Sequence, residues 1–114
     1  MYEIKIKTDF AAAHCLREVG GKCESLHGHN FTVEVAVESE ALDELGMVID
    51  FRLLKTKTQA VLQALDHRYL NELPLFKGKN PSSENLASYI FEELARQIDQ
   101  QGYWVSWVAV WESG

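Results

Sequence analysis

The stretch Phe31-Thr32-Val33-Glu34-Val35-Ala36-Val37-Glu38 decides the fold class. Phe31, Val33, Val35 and Val37 alternate with Thr32, Glu34, Ala36 and Glu38, a period of two that specifies a β-strand with one buried face. Upstream, Tyr2, Ile4 and Ile6 alternate with Glu3, Lys5 and Lys7, and Thr8, Phe10, Ala12 and His14 continue one face of that strand. A loop containing Gly20 and Gly21 separates the two. Downstream, residues 41–46 read as a turn and the period then changes. Phe51, Leu54, Thr58, Val61 and Leu65 recur at steps of three and four behind Asp50, predicting a capped amphipathic helix that runs to about Leu65. Pro74, Gly78 and Pro81 punctuate the connection to a second helix, capped by Ser82, carrying Glu84 in its first turn and burying Leu86, Ile90, Leu94 and Ile98. Gly102 ends that helix, and residues 103–110 form a strand that is apolar on both faces.

The order β-β-α-α-β predicts a single α+β domain spanning residues 1–114: an antiparallel sheet with both helices packed on one face. The apolar outer face around Tyr103, Trp107 and Trp111 calls for a partner, so a homo-oligomer is expected. Eleven Lys plus Arg against seventeen Asp plus Glu leave a net charge of −6. Such a chain is not built to coat nucleic-acid phosphates or an anionic membrane surface. No apolar run reaches the ~20 residues of a membrane helix. The first ten residues lack a signal-peptide core, and two cysteines are too few for a disulfide framework, so a reducing, cytoplasmic setting is expected.

Three of the four histidines, His14, His27 and His29, fall in the first 29 residues. In a strand His27 and His29 point to one face, roughly 7 Å apart at Cα, and hairpin pairing would bring His14 alongside. Three imidazoles with an open fourth position are the donor set of a catalytic zinc, whereas an isolated His-x-His pair would be surface decoration. Cys23 lies four residues before His27; Lys22 favours its thiolate and Glu24 opposes it, and near a Lewis acid it is a candidate general base. Cys15 reads as an inert small apolar side chain. Asp66-His67 is either a proton relay or a basic helix terminus facing the dipole. Glu112, directly after Trp107-Val108-Ala109-Val110-Trp111, either pairs with a guanidine-like N–H edge or marks where the strand meets water.

Six stretches in register resemble the 6-pyruvoyl-tetrahydropterin synthase family: Phe10-Ala11-Ala12-Ala13-His14, Cys23-Glu24-Ser25-Leu26-His27-Gly28-His29-Asn30, Gly46-Met47-Val48-Ile49-Asp50-Phe51, Leu65-Asp66-His67-Arg68-Tyr69-Leu70-Asn71, Asn80-Pro81-Ser82-Ser83-Glu84-Asn85-Leu86-Ala87 and Val110-Trp111-Glu112-Ser113. The spacer of three residues between Cys23 and His27 resembles the branch that forms 6-carboxytetrahydropterin on the way to queuosine and other 7-deazapurines. The resemblance implies a T-fold in which sheets of several subunits, as a hexamer or tetramer, join into a barrel with active sites between subunits. It implies zinc on His14, His27 and His29, proton abstraction by Cys23, a relay through His67 supported by Asp66, and Glu112 anchoring the pterin 2-amino and N3 edge. The implied reaction converts 7,8-dihydroneopterin triphosphate to 6-carboxytetrahydropterin, acetaldehyde and triphosphate. The alternatives are a pyruvoyl-forming synthase, a side-chain-cleaving aldolase, or a non-catalytic zinc- and pterin-binding protein. Ser113 stands where the family more usually has Thr, and the family's final strand is expected to be short or missing here. A triphosphate substrate needs local cations despite the net charge; Arg17, Lys22, Lys77 and Lys79 are the candidates, the last two just before the second helix.

Overall fold

The computed structural model describes residues 1–16, 27–100 and 102–113, with His27 described by its backbone alone. Its elements are β1 (Tyr2–His14), β2 (His27–Ser39), α1 (Phe51–Leu62), α2 (Ser83–Ile98) and β3 (Tyr103–Ser113), with short 3₁₀ turns at Leu70–Glu72 and Pro74–Phe76. The strands form one antiparallel sheet in the order β1-β2-β3, as the alternation predicted. β1 and β2 pair without a slip from Tyr2↔Ser39 to His14↔His27. Because side chains alternate with period two, that register puts Ile6, Phe10, Ala12 and His14 on the same face as Phe31, Val33, Val35 and Val37. Phe10 and Phe31 sit directly opposite and stack, with ring centroids 5.1 Å apart.

Both helices cover that face. Leu54, Val61 and Leu62 of α1 and Leu86, Ile90, Leu94 and Ile98 of α2 join the strand residues in one buried core, with α1 against β1 and α2 against β3. Asp50 caps α1 by accepting the Arg52 N–H at 2.8 Å, and Ser82 caps α2 by accepting the Asn85 N–H at 3.1 Å. Thr58, buried within the apolar stripe, donates its hydroxyl to the Leu54 carbonyl at 2.8 Å. No helix among the described residues is long and apolar enough to cross a membrane.

Four details depart from the sequence reading. α1 ends at Leu62, not Leu65, because the N–H groups of Ala64 and Leu65 turn to the carbonyls of Val61 and Leu62, three residues back, and tighten the last turn. Leu65 is nevertheless fully buried. Phe51, placed by its spacing on the apolar stripe, is 49% exposed at the start of the helix. Gly102 does not end α2, which stops at Ile98; it takes φ +110° in the turn leading into β3, a conformation that suits glycine.

The fourth difference concerns the outer face. A bulge leaves Ser106 without a register partner, since Ala36 opposes Trp107 while Val37 opposes Val105. The extra residue shifts the parity of β3. Trp104, Trp107 and Trp111 therefore share the face away from the helices, whereas Tyr103 packs against the core. That outer face is partly covered from within: the Trp107 Nε1–H donates to Glu3 at 2.8 Å, Lys5 pairs with Glu34 at 3.2 Å, and the ammonium groups of Lys5 and Lys7 lie 6.0 and 5.8 Å from the Trp107 and Trp111 rings.

Ile90→Ala, at a fully buried position of α2, should cost about 2–5 kcal/mol in urea unfolding. Glu92→Ala, on the exposed side of the same helix, should change stability by less than about 0.5 kcal/mol.

Candidate metal and substrate site

The register that builds the core also gathers polar groups at one end of the sheet. β1 finishes there with His14, β2 begins with His27 and carries His29 two residues on, and β3 carries Glu112 as its last residue but one. His14 is paired with His27, Ala12 with His29, and Phe31 with Glu112, so these four chemistry-bearing positions lie on the helix-covered face. The Glu112 carboxylate spans two imidazoles, with Oε1 3.0 Å from His14 Nε2 and Oε2 3.4 Å from His29 Nε2. The two rings meet edge to face at 6.0 Å, and Phe31 lies 5.2 Å from His14 and 6.2 Å from His29. His14 is buried, 1% exposed, while the His29 and Glu112 side chains are 32% and 42% exposed, so the cluster opens on one side.

The tautomer of His14 is fixed by its second contact. Its Nδ1–H donates to the Pro81 carbonyl at 2.8 Å, and a carbonyl can only accept. In the neutral ring Nε2 then carries a lone pair, aimed at a carboxylate oxygen 3.0 Å away. Two acceptors facing each other at that distance require a cation between them, either a proton or a metal ion. Zinc held at 2.0–2.1 Å in a tetrahedron has ligand atoms ~3.3 Å apart, close to the 3.0 and 3.4 Å found here. Among the described residues His14, His29 and Glu112 offer ligand atoms all within 4.8 Å of one another. Imidazole and carboxylate donors with a backbone carbonyl behind one imidazole suit zinc.

Asp66 and His67 reach the same end of the sheet from the connection after α1. The Ala11 N–H donates to Asp66 Oδ1 at 2.9 Å, the His67 N–H to the Ala11 carbonyl at 2.6 Å, and the Ala13 N–H to the Arg68 carbonyl at 3.0 Å. Residues 66–69 thus dock along the edge of β1. His67 adopts φ +57°, sparsely populated for a residue with a Cβ, and its side chain is 81% exposed with Nδ1 3.0 Å from Asp66 Oδ2. The Ala11 N–H, followed by His67, holds the Asp66 carboxyl below its ordinary value, against the opposing effect of desolvation. A cleft of about 530 Å³ is lined by residues 11–13, 28–30 and 67–69, so His29 and His67 border one space.

The sequence reading named His14, His29, Asp66, His67 and Glu112, and the structure brings them to this end of the sheet. His27 takes its place opposite His14 through its backbone. Cys23, Arg17 and Lys22 lie outside the described residues. Lys77 and Lys79 are exposed, a few residues before Pro81. Cys15, read as an inert apolar side chain, is fully buried, with its Sγ 3.5 Å from the Tyr69 hydroxyl. Two contributors and one contact escaped the sequence reading. Pro81 looked like punctuation, yet its carbonyl orients His14. Asn71 clamps the end of β1, accepting the Cys15 N–H at 2.9 Å and donating to the Cys15 carbonyl at 2.8 Å. Glu112 approaches the histidines as well as the open side, which only the register of β3 reveals.

A family model described as 6-pyruvoyl tetrahydropterin synthase matches residues 3–114. This chain belongs to that family. It is 42% identical over 100 residues to a 6-carboxy-5,6,7,8-tetrahydropterin synthase of Synechocystis, covering 82% of this chain and 75% of that protein. It is 38% identical over 92 residues to a dihydroneopterin monophosphate aldolase of Pyrococcus furiosus, covering 81% of this chain and 74% of that one. The solved 6-pyruvoyl tetrahydropterin synthase of Caenorhabditis elegans superposes with a TM-score of 0.77 at 27% identity, over 99% of this chain and 96% of the other. The T-fold and an enzyme of the pterin-processing family are thereby established.

The lowered Asp66 pKa fixes the sign of a pH effect. A carboxylate stabilised in the folded state contributes above its unfolded value, ordinarily 3.8, and loses that contribution as pH falls through the folded value. Asp66→Asn should therefore be less stable than the wild type at neutral pH, with the gap narrowing in acid. Urea titrations at a series of pH values check this; a gap that does not depend on pH would contradict it.

Proposed function

We propose that the chain is a zinc-dependent 6-carboxy-5,6,7,8-tetrahydropterin synthase, converting 7,8-dihydroneopterin triphosphate and water to 6-carboxytetrahydropterin, acetaldehyde and triphosphate in a cytoplasmic route to queuosine and related 7-deazapurines. The observation that carries the reading is the pairing of His14 and His29 with Glu112 beside a cleft that His67 also lines. The relative from Synechocystis supports the choice of product.

His14, His27 and His29 would hold the zinc, which as a Lewis acid polarises a side-chain hydroxyl or carbonyl of the substrate and acidifies its neighbouring C–H bond. His14 is presented by the Pro81 carbonyl in the tautomer a metal ligand needs. Glu112 binds the pterin head through its 2-amino and N3–H groups, which fixes the side chain over the histidines. Cys23 as thiolate removes the proton from the side-chain carbon. His67, held by Asp66 on the rim of the cleft, moves a second proton. No redox cofactor is needed, because oxidation of a side-chain carbon is matched by reduction of the ring. The aromatic outer face and the open edge of β3 support a homo-oligomer, hexamer or tetramer, in which a neighbouring subunit closes the exposed cleft.

The aldolase is the second reading, favoured by the Pyrococcus relative, and it uses the same histidines to cleave the side chain without forming a carboxylate. Incubation under reducing conditions with 7,8-dihydroneopterin triphosphate, with acetaldehyde trapping and mass spectrometry of the pterin, separates the two. The 6-carboxy product with acetaldehyde is expected; a 6-hydroxymethyl product would select the aldolase, and a pyruvoyl product the animal-type synthase. Zinc and pterin binding without any turnover would indicate a binding protein instead.

Cys23→Ala should retain zinc and fold and lose turnover, whereas His27→Ala should lose zinc; normal activity in Cys23→Ala would remove the proposed base. Reversing Lys77 and Lys79 to Glu should raise KM for the triphosphate; an unchanged KM would exclude that pair from triphosphate binding.

A further inference from the structure

Glu112 is asked to do two things. It faces two imidazoles that are candidate metal ligands, and the proposed function also gives it the head of the pterin. The geometry decides how both can hold. Its two oxygens divide between His14 and His29, at 3.0 and 3.4 Å. Ser113, the next residue, donates its hydroxyl to the Asn30 carbonyl at 2.8 Å, which ties the end of β3 to β2 and keeps Glu112 from fraying away. The side chain is 42% exposed, so the carboxylate has room to turn outward without disturbing the core.

Resting on the metal site of the proposed function, we propose that Glu112 is a fourth, exchangeable ligand of the metal ion, and that the pterin's 2-amino and N3–H edge draws its carboxylate away. With the head group absent, Glu112 closes the coordination position that would otherwise take water. With the head group bound, the same carboxylate accepts two N–H donors, and the freed position faces the substrate side chain. The coordination site thus opens only to a ligand that carries the pterin edge. Linkage requires the converse: whatever binds the Glu112 carboxylate loosens its hold on the metal by the same factor.

The test uses Zn²⁺ and Co²⁺ as probes on the reduced, full-length chain. Zn²⁺ affinity is measured by chelator competition and coordination by Co²⁺ visible absorption, for the wild type, Glu112→Gln, Glu112→Ala and His29→Ala. Glu112→Gln keeps the size of the side chain and one carbonyl acceptor but is a poor metal ligand. Both Glu112 variants should bind Zn²⁺ at least about tenfold more weakly and alter the Co²⁺ spectrum. Wild-type affinity and spectrum in Glu112→Gln would overturn the proposal while leaving the metal site intact if His29→Ala still loses the ion. If His29→Ala also binds normally, the metal site itself is wrong and both readings fall. Isocytosine carries the pterin's 2-amino and N3–H edge without the second ring, and gives an independent readout on the Co²⁺-loaded wild type should the variants fail to fold. A saturable spectral change supports ligand exchange; an unchanged spectrum with isocytosine shown bound by equilibrium dialysis overturns it.

Discussion

The slip-free pairing of β1 with β2 is the constraint on which the rest depends. Along thirteen residues it ties the parity of one strand to that of the other, and a shift by one would turn every core side chain outward. Phe10 stacked on Phe31 marks the register in the middle. The same register delivers His14, His27 and His29 to one face at the end of the sheet. Core and site are therefore not separate inventions: the alternation that buries Val33 and Val35 continues, two residues at a time, through Phe31 to His29 and His27.

The second constraint is electrostatic. A buried imidazole whose Nδ1–H is committed to a carbonyl cannot face a carboxylate through Nε2 without a cation between them. That requirement makes the cluster of polar side chains a candidate site for a cation. It also explains why the connection after the 3₁₀ turns matters to chemistry: Pro81 immediately precedes the cap of α2 and orients His14, the most deeply buried histidine side chain among the described residues.

Much of this was legible in the chain. Period-two alternation marked β1 and β2, and three-and-four spacing with Asp50 and Ser82 caps marked both helices. The histidine spacing pointed to the site because strand geometry alone puts residues two apart on one face. What could not be read depended on contacts between distant segments. The bulge at Ser106, which puts three tryptophans on one face, arises from pairing with β2 and has no local signature. The docking of Asp66 and His67 on the edge of β1 uses backbone groups of Ala11 and Ala13, which every sequence possesses. The early end of α1 came from turn hydrogen bonds, with Leu65 still reaching the core. Glu112 was recognised as a polar anchor, but its approach to two histidines needed the register of the third strand.

The central claim is that the cluster of His14, His27, His29 and Glu112 holds a metal that pterin chemistry requires. Its most direct test is turnover of 7,8-dihydroneopterin triphosphate after chelation of the protein to below one-tenth of a metal ion per chain, followed by readdition of Zn²⁺. The account predicts loss of product formation on stripping and its recovery in proportion to Zn²⁺ bound, saturating at one ion per chain. Full turnover by the stripped protein would contradict it.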